Sequence, residues 1–85
     1  KYHFTKGFFG TNGVSLQAGF TTPDINEAMI KECAMRHTQK AYVLCDHSKF
    51  HQTTPVCFGE FTSARVLTDR MPDESFQGFD NLIIV

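Results

Sequence analysis

Two short runs in the sequence, Tyr42–Asp46 (YVLCD) and Arg65–Asp69 (RVLTD), share one form: a few consecutive apolar residues that end on a carboxylate. A short, almost unbroken apolar run is how a strand buried on both faces of a parallel sheet reads. Strands of that kind need crossover connections, which implies one open parallel sheet with right-handed links. The segments around the two runs fit this plan. Phe4–Phe9 is an aromatic-rich strand that stops at GTNG, where Gly10, Asn12 and Gly13 supply the positive φ angles of a tight turn. In TTPDINEAMIKECAMRHT, Thr22 is expected to cap a helix and Pro23 to take its first position, while Asp24 and Glu27 complement the positive end of the dipole. Ile25, Ala28, Met29 and Cys33 then recur at helical spacing and predict its buried face.

After YVLCD, a loop with Pro55 and the short segment CFGEF leads to RVLTD; PDESFQGF reads as a weak helix before a last strand, NLIIV. The predicted order is β-α-β-(loop)-β-α-β, an α/β fold. Asn12, Asp46 and Asp69 should then emerge together at one edge of the sheet, beyond the strands' carboxyl ends, where open α/β sheets bind ligands.

Length and composition set the outer bounds. Eighty-five residues with 41% apolar content allow one small domain, close to the size at which a single core becomes marginal. The chain starts KYHFTKGFF without Met and ends NLIIV, so it is expected to be a fragment of something larger. A net charge of −1 with scattered Lys and Arg argues against nucleic-acid binding by this segment itself. No apolar run approaches the roughly 20 residues that span a bilayer, and a cytoplasmic location is expected. Three Cys, at positions 33, 45 and 57, fit no staple pattern and are expected to be reduced, buried thiols.

Several chemistries could be drawn from Cys45–Phe50 (CDHSKF). The paired strand-end residues Asp46 and Asp69 could hold sugar hydroxyls, or each could cap the turn that follows it. Cys45, His47, His51 and Cys57 include soft ligands but lack the paired C-x2-C spacing of a persuasive zinc site, so no metal is expected. Cys45 has His47 near it in sequence but no group to orient that base, so an inert core thiol is expected, with no catalytic residue and no cofactor. Lys49, on a loop at the top of a parallel sheet, is placed to meet a phosphate or a sugar oxygen, or else is a solvated surface lysine. Ser48 can add a hydroxyl.

The segments FFGTNGV, GFTTPDINEAMIKECAM, YVLCDHSKF and VLTD, in this order and spacing, resemble the C-terminal sensor domain of DeoR-type sugar-metabolism repressors over nearly the whole chain. The most specific parts are D-x-S-K-F at Asp46–Phe50 and the L-T-D ending at Leu67–Asp69. Repressors of lactose phosphotransferase systems are the most similar branch, which implies tagatose 6-phosphate as inducer. The resemblance implies the Rossmann-like fold of ribose-5-phosphate isomerase and coenzyme A transferases, present here as its C-terminal part. It implies a domain that binds a phosphorylated sugar without turning it over, in a homo-oligomer that meets operator DNA through an N-terminal helix-turn-helix. That domain and an early phosphate-holding loop lie outside residues 1–85. The ligand-binding residues implied are Asn12, Gly13, Asp46, Ser48, Lys49 and Asp69, with Phe50 packed beneath the loop. Where many relatives have D-S-S-K-F-G, this chain carries His47 for the first Ser and His51 for the Gly. A sugar-phosphate isomerase is the alternative of the same fold, with Asp46, Lys49 and Asp69 as its acid, base and electrostatic stabiliser.

Overall fold

The computed structural model describes residues 3–85. Four strands, β1 (Phe4–Gly10), β4 (Thr38–Leu44), β6 (Arg65–Thr68) and β7 (Leu82–Ile84), form one sheet in the order β1-β4-β6-β7, every neighbouring pair parallel. The predicted parallel sheet is present, and YVLCD and RVLTD are its two central strands. Three shorter strands, β2 (Gly13–Ser15), β3 (Gly19–Thr22) and β5 (Val56–Gly59), make a second, antiparallel sheet in the order β2-β3-β5. The sequence plan lacked this second sheet. Its strands are only three or four residues long, β2 and β3 mostly Gly, Ser and Thr around one apolar residue and β5 Val-Cys-Phe-Gly, too short to show a period. Gly19 turns the β2–β3 hairpin at φ +74°, and a side chain there would collide with the carbonyl of Gly59 on β5.

The one α-helix among the described residues, α1 (Ile25–Arg36), starts later than the sequence suggests. Thr22 is not its cap, because β3 runs through Thr22 in register with Val56 of β5. Asp24 takes the role, its carboxylate accepting from the backbone N–H groups of Asn26 and Glu27. The predicted apolar face is also less covered than its spacing implies: Ala28 is buried, whereas Ile25 and Met29 are more than half exposed. The weak helix before the last strand is a single 3-10 turn, Glu74–Phe76, with Asp73 as its cap and Gly78 at φ +88° soon after. Among the described residues no helix is long and apolar enough to cross a membrane.

Strand alternation divides the parallel sheet into two unlike faces. Phe9, Ala41, Val43, Val66 and Thr68 point into the core, where Val14, Phe20 and Phe58 of the second sheet meet them. A row of Phe rings links the second sheet to the 3-10 turns around it: Phe58 to Phe20, Phe20 to Phe61, Phe61 to Phe76, and Phe76 to Phe50, with centroids 4.9–6.0 Å apart. The other face carries Phe8, Tyr42, Leu44, Leu67 and Ile83. Phe8 stacks on Tyr42 at 5.2 Å yet is 61% exposed, and Leu44 is 45% exposed. Parallel sheets are stable when both faces are covered, so this apolar face is an adhesive surface in the isolated chain. Light scattering on the 85-residue chain should therefore show concentration-dependent self-association that Phe8→Lys reduces. A chain that stays monomeric at high concentration would contradict this.

Candidate ligand-binding site

Because β1, β4 and β6 run in the same direction, Gly10, Leu44 and Thr68 end at one edge of the sheet. The loops that follow hold the residues singled out in the sequence. The backbone ties them together at two points. Cys45 N–H donates to Leu67 O at 3.1 Å, joining the tips of β4 and β6, and His51 N–H donates to Val14 O at 2.7 Å, joining the far end of the loop to β2. Between these points runs a 3-10 turn, His47–Lys49, anchored by Phe50. Phe50 is 4% exposed, sits edge-on to Phe76 and bridges Val14, so it lies under the loop as expected.

Both strand-end carboxylates act on this turn. Asp46 caps it, accepting from the backbone N–H and the hydroxyl of Ser48. Those bonds, the hydroxyl's first, hold the Asp46 carboxyl below its ordinary range. Asp69 grips His47 twice: Oδ1 accepts from the His47 backbone N–H and Oδ2 from its ring Nδ1, both at 2.7 Å. The ring bond is the main reason the Asp69 carboxyl is pushed down to about 2. Asp46 thus caps the turn that follows it, as the capping reading requires, whereas Asp69 reaches across to the turn after β4 and not to its own; both stay exposed at the sheet edge.

Gly13 is buried in β2, where a Cβ would strike the carbonyl oxygen of Gln52, so it allows the loop to lie close to the second sheet. Asn12 stands at the tip of β1; its backbone N–H donates to Thr21 O and its side chain bonds no described residue. Lys49 is half-buried, and its ammonium makes no hydrogen bond or ion pair with a described residue. Lys31, by contrast, is fully engaged: Nζ donates to Gly10 O at 2.7 Å, pairs with Glu27 at 3.0 Å and lies over the Phe58 ring.

The thiols resolve in two ways. Cys45 is partly buried against the core, and burial, aided by Asp46, pushes it up to about 11, so it is a protonated thiol at neutral pH. Cys33 and Cys57 are free but exposed, not buried as expected; each faces outward from an element whose opposite side meets the core. Among the described residues no group of three or more His, Cys, Asp or Glu side chains is placed to hold a metal ion.

Two features escaped the sequence reading. Arg70, directly after Asp69, donates to Nε2 of His47 at 2.7 Å, and Asp73 meets Nε2 of His51. With Phe50, Met71 and Pro72, His47, His51 and Arg70 line a concavity of about 350 Å³ beside the turn, which is within the size of small-molecule sites. The only available signal was topological: residues just past adjacent parallel strands are neighbours whatever their separation in sequence.

A profile of the DeoR C-terminal sensor domain matches residues 1–70. The chain belongs to that family. This DeoR sensor chain is 39% identical over 85 residues to the uncharacterized HTH-type transcriptional regulator FruR of Bacillus subtilis (strain 168), covering all of the chain and 34% of that protein. It is 29% identical over 82 residues to the HTH-type transcriptional regulator IolR of the same organism, covering 95% of the chain and 33% of IolR. The sensor chain therefore spans about a third of the length of the curated relatives it matches.

His51 adopts φ +66°, a left-handed conformation that favours glycine. A non-glycine residue there costs roughly 1–2 kcal/mol, offset in part by the contacts of His51 with Asp73 and the Phe76 ring. His51→Ala keeps the strain and loses those contacts. His51→Gly loses the contacts and releases the strain. Urea unfolding should accordingly rank His51→Gly above His51→Ala by about 1 kcal/mol.

The depressed Asp69 carboxyl also sets an acid limb. A carboxyl whose folded pKa lies below its unfolded value of about 4 stabilises the fold above that value and stops doing so as pH falls through its folded pKa. The stability gap between the natural chain and Asp69→Asn should be widest near neutrality and close as pH falls from about 4 to about 2. A gap that is constant with pH would show that the His47 bond does not act in solution.

Proposed function

We propose that this chain is the effector-binding part of a DeoR-type transcriptional repressor and that its ligand is a phosphorylated sugar bound at the tips of β1, β4 and β6. In this reading the intact protein is a cytoplasmic homo-oligomer that holds operator DNA through a helix-turn-helix preceding residues 1–85. The names of both relatives, HTH-type transcriptional regulators, support that partner. Tagatose 6-phosphate, with a role in lactose catabolism, is the ligand to test first, on the strength of the sequence resemblance. The observation that carries the proposal is the state of Lys49: an uncommitted ammonium on a turn fixed at both ends, capped by Asp46 and underlain by Phe50. Such a cation is preorganised for an anionic or hydroxyl oxygen. Asn12 adds a free amide that both donates and accepts. Induction further requires that the ligand bind two global states with different affinity.

The carboxylates at this edge speak for a sensor over an isomerase. A general acid needs a raised pKa, whereas hydrogen bonds keep Asp46 and Asp69 ionised at neutral pH. Ribose 5-phosphate and hexose phosphates incubated with the intact protein should be recovered unchanged, and conversion of any of them would replace this reading with the enzymatic one. In the intact protein, Lys49→Ala should remove one charge-assisted hydrogen bond, worth about 1.5–3 kcal/mol, and weaken tagatose 6-phosphate binding by roughly one to two decades. Operator affinity without ligand should hardly change, and Lys49→Arg should rescue in part. Wild-type affinity in a folded Lys49→Ala protein, read by calorimetry, would return Lys49 to the solvated surface.

A further inference from the structure

We infer that Arg70 is the oxyanion-binding residue of this site and that neutral His47 positions it. The inference rests on the sugar-phosphate reading for the identity of its ligand. A guanidinium can only donate hydrogen bonds, so the 2.7 Å contact from Arg70 makes His47 Nε2 an acceptor. The ring proton therefore sits on Nδ1, where it donates to Asp69 Oδ2 at 2.7 Å. One chain of bonds results, Arg70 to His47 to Asp69, and it starts from a carboxylate that also holds the His47 backbone N–H. The charged groups that touch the ring are Asp69 and Arg70 from the β6 tip, while Asp46 and Lys49 stand beside it in sequence on its own turn.

The geometry gives Arg70 an unusual standing for an exposed arginine. It has no carboxylate partner among the described residues, since Asp69 is taken up by His47 and Asp73 by Ser75 and His51. One of its donors is fixed on a neutral imidazole, and the others remain for a ligand at the mouth of the concavity it lines with His47 and His51. A cation held by a neutral group keeps its full charge for an incoming anion, and its planar fork suits the paired oxygens of a phosphate.

The test uses the intact protein in three measurements. Nitrogen-15 spectra of labelled histidine should show His47 protonated at Nδ1 and bare at Nε2 near neutral pH; the opposite tautomer would overturn the bond chain. Phenylglyoxal modification of Arg70, followed by mass spectrometry, should slow in inorganic phosphate while modification of Arg36 and Arg65 does not; unslowed modification of Arg70 would overturn the anion site. Arg70→Ala should lower affinity for tagatose 6-phosphate by roughly ten- to a hundredfold, with little further loss when His47→Phe is added. Arg70→Lys should recover only part. Equal affinity of wild type and Arg70→Ala for that ligand would sink the inference while leaving the sensor reading intact. Phosphate protection of Arg70 in a protein that binds no phosphorylated sugar would do the reverse.

Discussion

The contact on which the rest of the molecule depends is the run of phenylalanine rings from Phe58 through Phe20, Phe61 and Phe76 to Phe50. Each ring comes from a different part of the chain, and all five lie outside the strands of the parallel sheet. Aromatic pairs at these spacings add edge and stacking preferences to a large apolar area, so the row sets how the second sheet and the 3-10 turns sit against one another as well as excluding water. A small domain has few residues with which to do this. Using five rings in one row lets β2, β3 and β5 sit on the parallel sheet although each is only three or four residues long.

The candidate site inherits its order from that row. Phe50 ends the ring series and begins the loop's return to β2, so the turn His47–Lys49 is fastened to the core at one end and to the β6 tip through Asp69 at the other. Two carboxylates at strand ends invite a functional reading, yet their first task is mechanical: Asp46 closes the turn and Asp69 orients the imidazole. What they leave available is positive, the ammonium of Lys49 and the guanidinium of Arg70, and this polarity suits a phosphorylated ligand.

The sequence was informative where physical patterns are dense. YVLCD and RVLTD announced the two central parallel strands, although one of their faces is left uncovered in this chain, and Asp24 and Glu27 marked a helix start to within two residues, although Thr22 was committed to β3 and could not cap it. The β2–β3 hairpin left no such trace, because strands of three or four residues rich in Gly, Ser and Thr show neither alternation nor an apolar run. The site divides in the same way. Asp46–Phe50 was visible as a contiguous motif, whereas the bond from Arg70 to His47 joins residues separated by a loop, β5 and β6. Only three-dimensional adjacency of strand tips brings them together, and no local spacing encodes it.

The all-parallel order β1-β4-β6-β7 also has a consequence for how the chain comes into being. β1 forms its ladder with β4, so Phe4 finds its partner Thr38 only after the hairpin, α1 and the start of β4 exist. β4 in turn receives its second neighbour only when β6 arrives. Each of these ladders closes a loop whose entropy must be met before its strand bonds form. Until β4 has emerged, the β1–β4 ladder cannot form and Phe8 lacks the Tyr42 ring on which it stacks. The hairpin and α1 that lie between β1 and β4 are local structures, which form quickly and shorten the distance over which the two strands must meet.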